Sequence, residues 1–344
     1  MRIWPCVALA AALALAPVTA SAQTKIKLGL TRTMIVGATN TAVEKGYFRE
    51  AGLDVEVNYL DASASFVVLL AREELQIVEG GVSASFFNGV HQGLPVRIAM
   101  DNVSTPVGHW IVLRSDLKDQ VKSIADFKGR VLGTNAPNSI SLYEAARALE
   151  SGGLSLKDVT VKTVGFPQML AAFESKAVDA FAMPAPWSTE IPQMGLGHQW
   201  VNVDDVVTPK PFVLSVVMYN TDWATKHPKE AQAFFTALLR GARDYCDAYH
   251  NGPNRQEMAD RIVRSGVGRD VKALETYNWG ARSVDGKANA GSLDDIQSWY
   301  VEQGVLPEKQ PMAKVLDTSF AAAANAALGP FKPSNAASQK PGCR

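Results

Sequence analysis

Over its first two thirds the chain alternates two periodicities. Residues 26–30, 53–60, 75–78 and 96–100 are short β-rich runs, and between them residues 38–50, 65–73 and 83–92 repeat apolar positions at helical spacing. Gly52, Gly80-Gly81 and Gly93 punctuate the predicted junctions. A βαβαβαβ string implies a parallel sheet with helices on both faces, because parallel neighbours need a crossover long enough to hold a helix. The pattern then restarts. Residues 111–113, 130–133, 159–164 and 178–182 predict strands, and 139–151 and 167–175 predict helices. Ser123 with Asp126 three residues on reads as a capping box. A second parallel α/β unit is predicted, although the two units are not sequence repeats.

Beyond residue 212 the character changes. Residues 212–219 predict one more strand, and from Pro228 the chain reads as almost entirely helical. In 228–250, apolar residues at 231, 234, 235, 238, 239, 242, 245, 246 and 249 keep one face, with Pro228 where a first helical residue tolerates a missing N–H. Residues 256–265, 271–279, 293–303 (with Ser292 and Asp295 as a cap pair) and 319–328 complete the helical set. Residues 329–344, rich in Pro, Ser, Asn and Lys, read as a flexible tail unless Cys343 pins them.

The start of the chain belongs to targeting. Arg2, the apolar run 7–16 and the small residues Ala20-Ser21-Ala22 form a signal peptide cleaved after Ala22. The run is about ten residues, half of what a spanning helix needs, so export to the periplasm with release is expected. Two cysteines survive cleavage, Cys246 and Cys343. In an oxidising compartment they form a possible disulfide, and a buried free thiol at Cys246 is the equal alternative. Two α/β units in an exported chain suggest two lobes with a cleft between them.

Composition narrows the partners. The 344 residues carry 34 Lys+Arg against 34 Asp+Glu, and 47% are hydrophobic. So apolar a chain buries enough surface to fold, and a neutral one lacks the footprint of a nucleic-acid binder.

Several chemistries lack their motifs. There is no phosphate loop, and Gly195-Leu196-Gly197 has neither the third glycine nor the preceding strand of a dinucleotide site. Gly81-Val82-Ser83 begins like a nucleophile elbow, but Ser85 stands where its second glycine belongs. Ser115 and Lys118 match S-x-x-K without its companion motifs. The five histidines, His91, His109, His198, His227 and His250, have no helical pairing and no neighbouring cysteine ligands, so neither metal nor cofactor is expected. His109 alone is placed near a cleft, as a strand-end residue bonding backbone.

What is present gathers beyond strand ends, where open α/β sheets bind ligands. Arg32 and Thr33 follow the first strand, Ser63 and Ser65 the second, Ser83 the third, and Ser104 the fourth; Asn135, Asn138 and Ser139 occupy the equivalent loop of the second unit. Singly, such residues are helix caps worth about 1 kcal/mol each. Together they suit an anionic or carbonyl-bearing ligand near helix N-termini, with Arg32 able to clamp a carboxylate or sulfonate. Trp110, Trp187, Phe86, Phe166, Tyr143 and Phe212 fall near predicted strand ends, and of these Trp110 or Trp187, the latter after the stiff turn Met183-Pro184-Ala185-Pro186, is expected to face the apolar part of the ligand.

The segment Glu44-Lys45-Gly46-Tyr47-Phe48 through Ala51-Gly52-Leu53-Asp54-Val55-Glu56 is very similar to substrate-binding proteins of ABC importers of the sulfonate, taurine, nitrate and thiamine-precursor type. The resemblance continues in order through Gly93-Leu94-Pro95-Val96, Asp126-Phe127-Lys128-Gly129-Arg130-Val131 and Val178-Asp179-Ala180-Phe181 to His227-Pro228. It implies a type II periplasmic-binding-protein fold, two Rossmann-like lobes joined by two hinge segments near 112–116 and 207–220. Lobe 1 would comprise 23–112 and 220–328, and lobe 2 residues 113–219. It also implies a protein that closes on its ligand and docks on a membrane permease. The chain is expected to be a monomer that binds a small organic anion or aromatic heterocycle of the sulfonate, carboxylate or pyrimidine class, with no catalysis. Relatives often carry an acidic residue where Ala185 stands, so no carboxylate is expected there for a ligand amine. Thiamine-pyrimidine synthases share the fold, but their cysteine cluster is missing here, which argues against an enzyme. A sensor presenting ligand to a membrane kinase is the other rival, separable by adjacent permease and ATPase genes.

Overall fold

The computed structural model describes residues 23–60, 66–268, 270–338 and 340–343. The predicted leader and the loop carrying Ser63 and Ser65 lie outside them. Among the described residues ten strands form two five-stranded sheets. The strands are β1 (Thr24–Leu30), β2 (Leu53–Tyr59), β3 (Ile77–Gly81), β4 (Val96–Ser104), β5 (Trp110–Arg114), β6 (Val131–Thr134), β7 (Thr160–Thr163), β8 (Ala180–Met183), β9 (Gly197–Asn202) and β10 (Val213–Asn220). The longer helices are α1 (Val36–Glu44), α2 (Ala84–His91), α3 (Ile140–Ser151), α4 (Trp187–Gln193), α5 (Pro228–Tyr249), α6 (Arg255–Arg264), α7 (Ala290–Glu302) and α8 (Ser319–Leu328).

The sheets run β2-β1-β3-β10-β4 and β7-β6-β8-β5-β9. Neither is purely parallel, which corrects the expectation from the βαβ pattern. β10 pairs antiparallel with both β3 and β4, and β5 antiparallel with both β8 and β9. Each inserted strand is the one that enters its sheet directly from the other lobe, so no crossover helix fixes its direction. The crossings accordingly fall earlier than expected. β5 starts at Trp110 in the second sheet and β10 at Val213 in the first, leaving residues 105–109 and 203–212 to pass between lobes. The two crossings touch: Thr105 N donates to Phe212 O and Phe212 N to Thr105 Oγ1, both at 3.0 Å.

Alternation along the strands packs both faces of the second sheet. Ile111, Leu113, Ala180 and Ala182 join the large core that runs through the first lobe, while Val112, Phe181 and Met183 pack in a separate cluster with Met169, Phe173 and Ile191. In the first lobe α5 crosses α1 at very short range. A Cβ at Gly241 would sit 2.4 Å from Ala38 O, and one at Gly37 would sit 2.7 Å from Tyr245 Cδ2, so both glycines are required by the approach.

Local differences have local causes. The helix predicted over 38–50 is α1 followed by a short turn Tyr47–Glu50, split where Gly46 takes φ 77°. Ser292 and Asp295 do not cap α7. Asn289 does, while Ser292 Oγ accepts from Val213 N at 2.9 Å and Asp295 binds Tyr143 and Arg147. The capping box at Ser123 and Asp126 is formed. The C-terminal segment, expected to be flexible, is tied along α5: Cys343 is disulfide-bonded to Cys246, Ser334 N donates to Asp247 Oδ1 at 2.6 Å, and Tyr249 donates its hydroxyl to Pro341 O at 2.6 Å.

Candidate functional site

The C-terminal ends of β1, β3, β6 and β8 meet across one cleft, as the rule for open α/β sheets requires. Its mouth is a cavity of about 390 Å³ with walls from both lobes. On the first-lobe side the exposed Arg32 lays its guanidinium 4.3 Å from the centre of the Tyr59 ring. Opposite, Trp187 and Phe166 stack with centroids 5.0 Å apart and planes at 14°. Leu60, Pro167, Pro186 and Val267 complete an apolar surround.

Thr31 and Phe166 continue from the mouth into a narrower recess that holds Thr33, Asn135, Ser139, Ser141, Ser215 and His109. Asn135 keeps its carbonyl oxygen buried without a hydrogen-bond partner among the described residues, and Ser139 Oγ lies 3.0 Å from Thr134 Oγ1. The lobes also touch here. Ala84 N at the start of α2 donates to Asn138 O at 3.2 Å, and a Cβ on Gly81 would stand 2.6 Å from Ile140 Cγ2.

Of the residues singled out from the sequence, Arg32, Thr33, Asn135, Ser139 and Trp187 therefore line the cleft, and four others do not. Ser83 faces Ser85 at 2.8 Å, a hydroxyl pair at the start of α2. Ser104 donates to Asp101 at 3.2 Å beneath the floor. Asn138 contributes its backbone at φ 50° rather than its amide. Trp110 faces a different cavity, because along residues 106–110 Val107 and His109 face the cleft while Pro106, Gly108 and Trp110 face away.

His109 is the residue whose role the sequence misjudged. Its ring bonds no backbone group among the described residues: Nδ1 lies 3.0 and 3.1 Å from the two carboxylate oxygens of Glu144, which is 0% exposed on α3. A partner 35 positions away leaves no local signal. Tyr59 lies inside the predicted strand 53–60 with nothing to single it out, and Val267 carries no signal at all.

Under the first-lobe floor lies a buried polar network. Arg282 donates to Asn102 O at 2.9 Å and to Ile35 O at 3.0 Å, its guanidinium 4.1 Å from the centre of the Tyr245 ring. Thr39 and Asn102 donate to Glu79 at 2.6 and 3.2 Å, and Ser283 N donates to Asp101 at 2.7 Å. Burial pushes the carboxyls of Glu79 and Asp101 up to about 7, against the opposing pull of these donors and of the Arg282 charge. Through Ile35 O the network fixes the loop that carries Thr31, Arg32 and Thr33.

Comparison with known proteins places this arrangement. The chain is 26% identical over 261 residues to the nitrate/nitrite binding protein NrtA of Nostoc sp., covering 68% of this chain and 56% of that one. It is 27% identical over 214 residues to the riboflavin-binding protein RibY of Chloroflexus aurantiacus, covering 59% and 56%. The chain thus spans little more than half the length of either relative. Among solved structures, the periplasmic nitrate-binding protein NrtA from Synechocystis superposes with a TM-score of 0.74 at 18% identity, covering 89% of each chain. The alkanesulfonate-binding protein SsuA from Xanthomonas axonopodis, bound to MOPS, gives 0.70 at 17% identity, covering 87% of this chain and all of that one. These likenesses establish the fold of periplasmic binding proteins. A family model described as NMT1/THI5 like matches residues 37–250, more than half of the sequence, and the protein belongs to that family.

Proposed function

We propose that this protein is the substrate-binding component of an ABC importer, exported to the periplasm, which captures a small ring-bearing organic anion between its lobes and delivers it to a membrane permease. It acts as a monomer and catalyses nothing. The observation that carries the ligand class is the mouth of the cleft, where one cation on the first lobe faces two stacked rings on the second. Its volume of about 390 Å³ falls in the range of sites for small organic molecules. Nitrate or bicarbonate would leave most of it empty. The acidic end of the ligand meets Arg32, its ring meets Trp187 and Phe166, the hydroxyls of Ser139 and Thr33 supply donors deeper in, and Asn135 offers its unpartnered carbonyl oxygen to a donor on the ligand. His109, oriented by Glu144, adds its second ring nitrogen to that recess. Because the contacts come from both lobes, the ligand has greater affinity for the closed arrangement and draws the lobes together about residues 105–109 and 203–212.

A thermal-shift screen over aromatic carboxylates, alkanesulfonates, nitrate and bicarbonate tests this. A ligand at about 100 times its Kd stabilises by about 2.7 kcal/mol, and the shift is expected for an aromatic carboxylate or sulfonate and lost in Arg32→Gln and Trp187→Ala. A response confined to nitrate or bicarbonate, or one indifferent to both substitutions, rejects the ligand class.

A further inference from the structure

Residues 106–110 form a partition. Val107 and His109 face the ligand cleft, and Pro106, Gly108 and Trp110 face a second cavity of about 300 Å³ on the other side. From the second lobe this outer cavity takes Trp110 and Asn202, from the crossing after β9 it takes Asp204, and from the first lobe it takes Tyr249, Arg255, Glu275 and the rings of Tyr277 and Trp279. Lys340, on the segment held by the Cys246–Cys343 disulfide, closes one wall.

Its charges are not equally available. The Asp204 carboxylate is spent on the partition, accepting from Val107 N at 2.7 Å and Gly108 N at 3.4 Å. Glu275 is exposed and its charge acts on Arg255 across the cavity without an ion-pair contact. The two cations, in contrast, have donors to spare. Arg255 sits over Trp279, its guanidinium 4.3 Å from the ring centre, and gives one hydrogen bond among the described residues, Nη1 to Ala248 O at 2.9 Å. Lys340 Nζ gives one, to Asn251 Oδ1 at 3.1 Å. Neither forms an ion pair among the described residues. Arg255 also opens α6, so the positive end of a ten-residue helix adds to its field. Burial, followed by the Arg255 charge, depresses the Lys340 pKa, the repulsion that an anion lodged nearby would relieve.

We infer that the outer cavity is a second ligand site, in which Arg255 and Lys340 hold the carboxylate of a small organic acid whose apolar part lies among Trp110, Tyr249 and Trp279. It stands on residues other than those of the cleft, and it does not depend on what the cleft binds.

Benzoate is the probe. In a variant with Arg32→Gln and Trp187→Ala in the cleft, calorimetric titration is expected to retain a benzoate site. Adding Arg255→Gln and Lys340→Gln should weaken it by roughly tenfold to a hundredfold, the worth of one or two charge-assisted hydrogen bonds. The unsubstituted protein gives a readout independent of variant folding: benzoate is expected to move the indole N–H resonances of Trp110 and Trp279. Absence of binding at millimolar benzoate in the cleft variant, binding that the Arg255 and Lys340 substitutions leave unchanged, or shifts confined to Trp187 would overturn the inference. Loss of the cleft ligand with the outer site intact would instead count against the importer reading alone.

Discussion

Replacing Glu79 by glutamine should change how stability depends on pH. Glu79 is fully buried on β3, and burial holds its carboxyl up to about 7 in the folded protein, against about 4.5 when unfolded. Between those values the folded state binds the proton and the unfolded state has released it, so stability falls as pH rises. The contribution is intact below about pH 4.5 and fully lost once pH has passed through about 7. At about 1.4 kcal/mol per pH unit for one proton, the loss between pH 4 and pH 8 is on the order of 3 kcal/mol. Glutamine cannot ionise and loses nothing over that range. It also turns an N–H₂ group toward Asn102 Nδ2, which donates to Glu79 at 3.2 Å, and so forfeits about 1 kcal/mol at every pH. That constant offset cancels when the two proteins are compared across pH. Urea unfolding at pH 4, 5, 6, 7 and 8 should therefore show Glu79→Gln as the less stable protein in acid and the more stable one at pH 8. Parallel stability curves would refute the reasoning, since they would mean that Arg282, Thr39 and Asn102 offset the burial and leave the folded carboxyl titrating where the unfolded one does.

Three further outcomes follow from the packing. Cys343→Ser should lower stability by about 4 kcal/mol, the chain-entropy effect of opening a loop of 97 residues, read as the difference in urea midpoints of the two oxidised proteins. Gly81→Ala puts a Cβ 2.6 Å from Ile140 Cγ2 across the cleft; overpacking of about 1–3 kcal/mol should fall on the closed arrangement, weakening ligand binding while the unliganded melting temperature stays put. An equal loss of unliganded stability would show that the clash is borne within a lobe. His109→Leu leaves the buried Glu144 carboxyl without its hydrogen-bond partner and should cost about 1–3 kcal/mol in denaturant unfolding, and the double variant with Glu144→Leu should recover most of it.

The strand and helix order was legible because it rests on local periodicity, and the cleft loops because sheet topology puts them at strand ends. Arg32, Asn135 and Trp187 follow from that argument alone. Strand β9 did not, since Gly197–Asn202 carries His, Gln and Asn among its half-buried positions and shows no alternation. Trp110 was placed on the wrong side for a simple reason: an extended segment alternates, and its phase against the cleft is set by the partner strands β8 and β9, which the sequence does not name. His109 with Glu144, and Arg282 with Asn102, are pairings across long separations. Burial makes them matter, and burial is a property of the assembled fold.

The repeat that the sequence hides is present in the topology. Reading each sheet from its edge, β7-β6-β8-β5-β9 has the same pattern as β2-β1-β3-β10-β4, with the antiparallel strand in the same slot. Arg32 after β1 and Asn135 after β6 therefore occupy equivalent loops, as do Gly81 at the end of β3 and the 184–187 turn after β8. Equivalent positions give the cleft two similar walls, yet their chemistry has diverged. The first lobe supplies the cation and the second the stacked rings. On the binding reading, neither half-site can satisfy a ring-bearing anion alone, so much of the binding energy appears only when the walls approach. That division of labour is a physical basis for ligand-driven closure, and it requires no strain stored in either lobe.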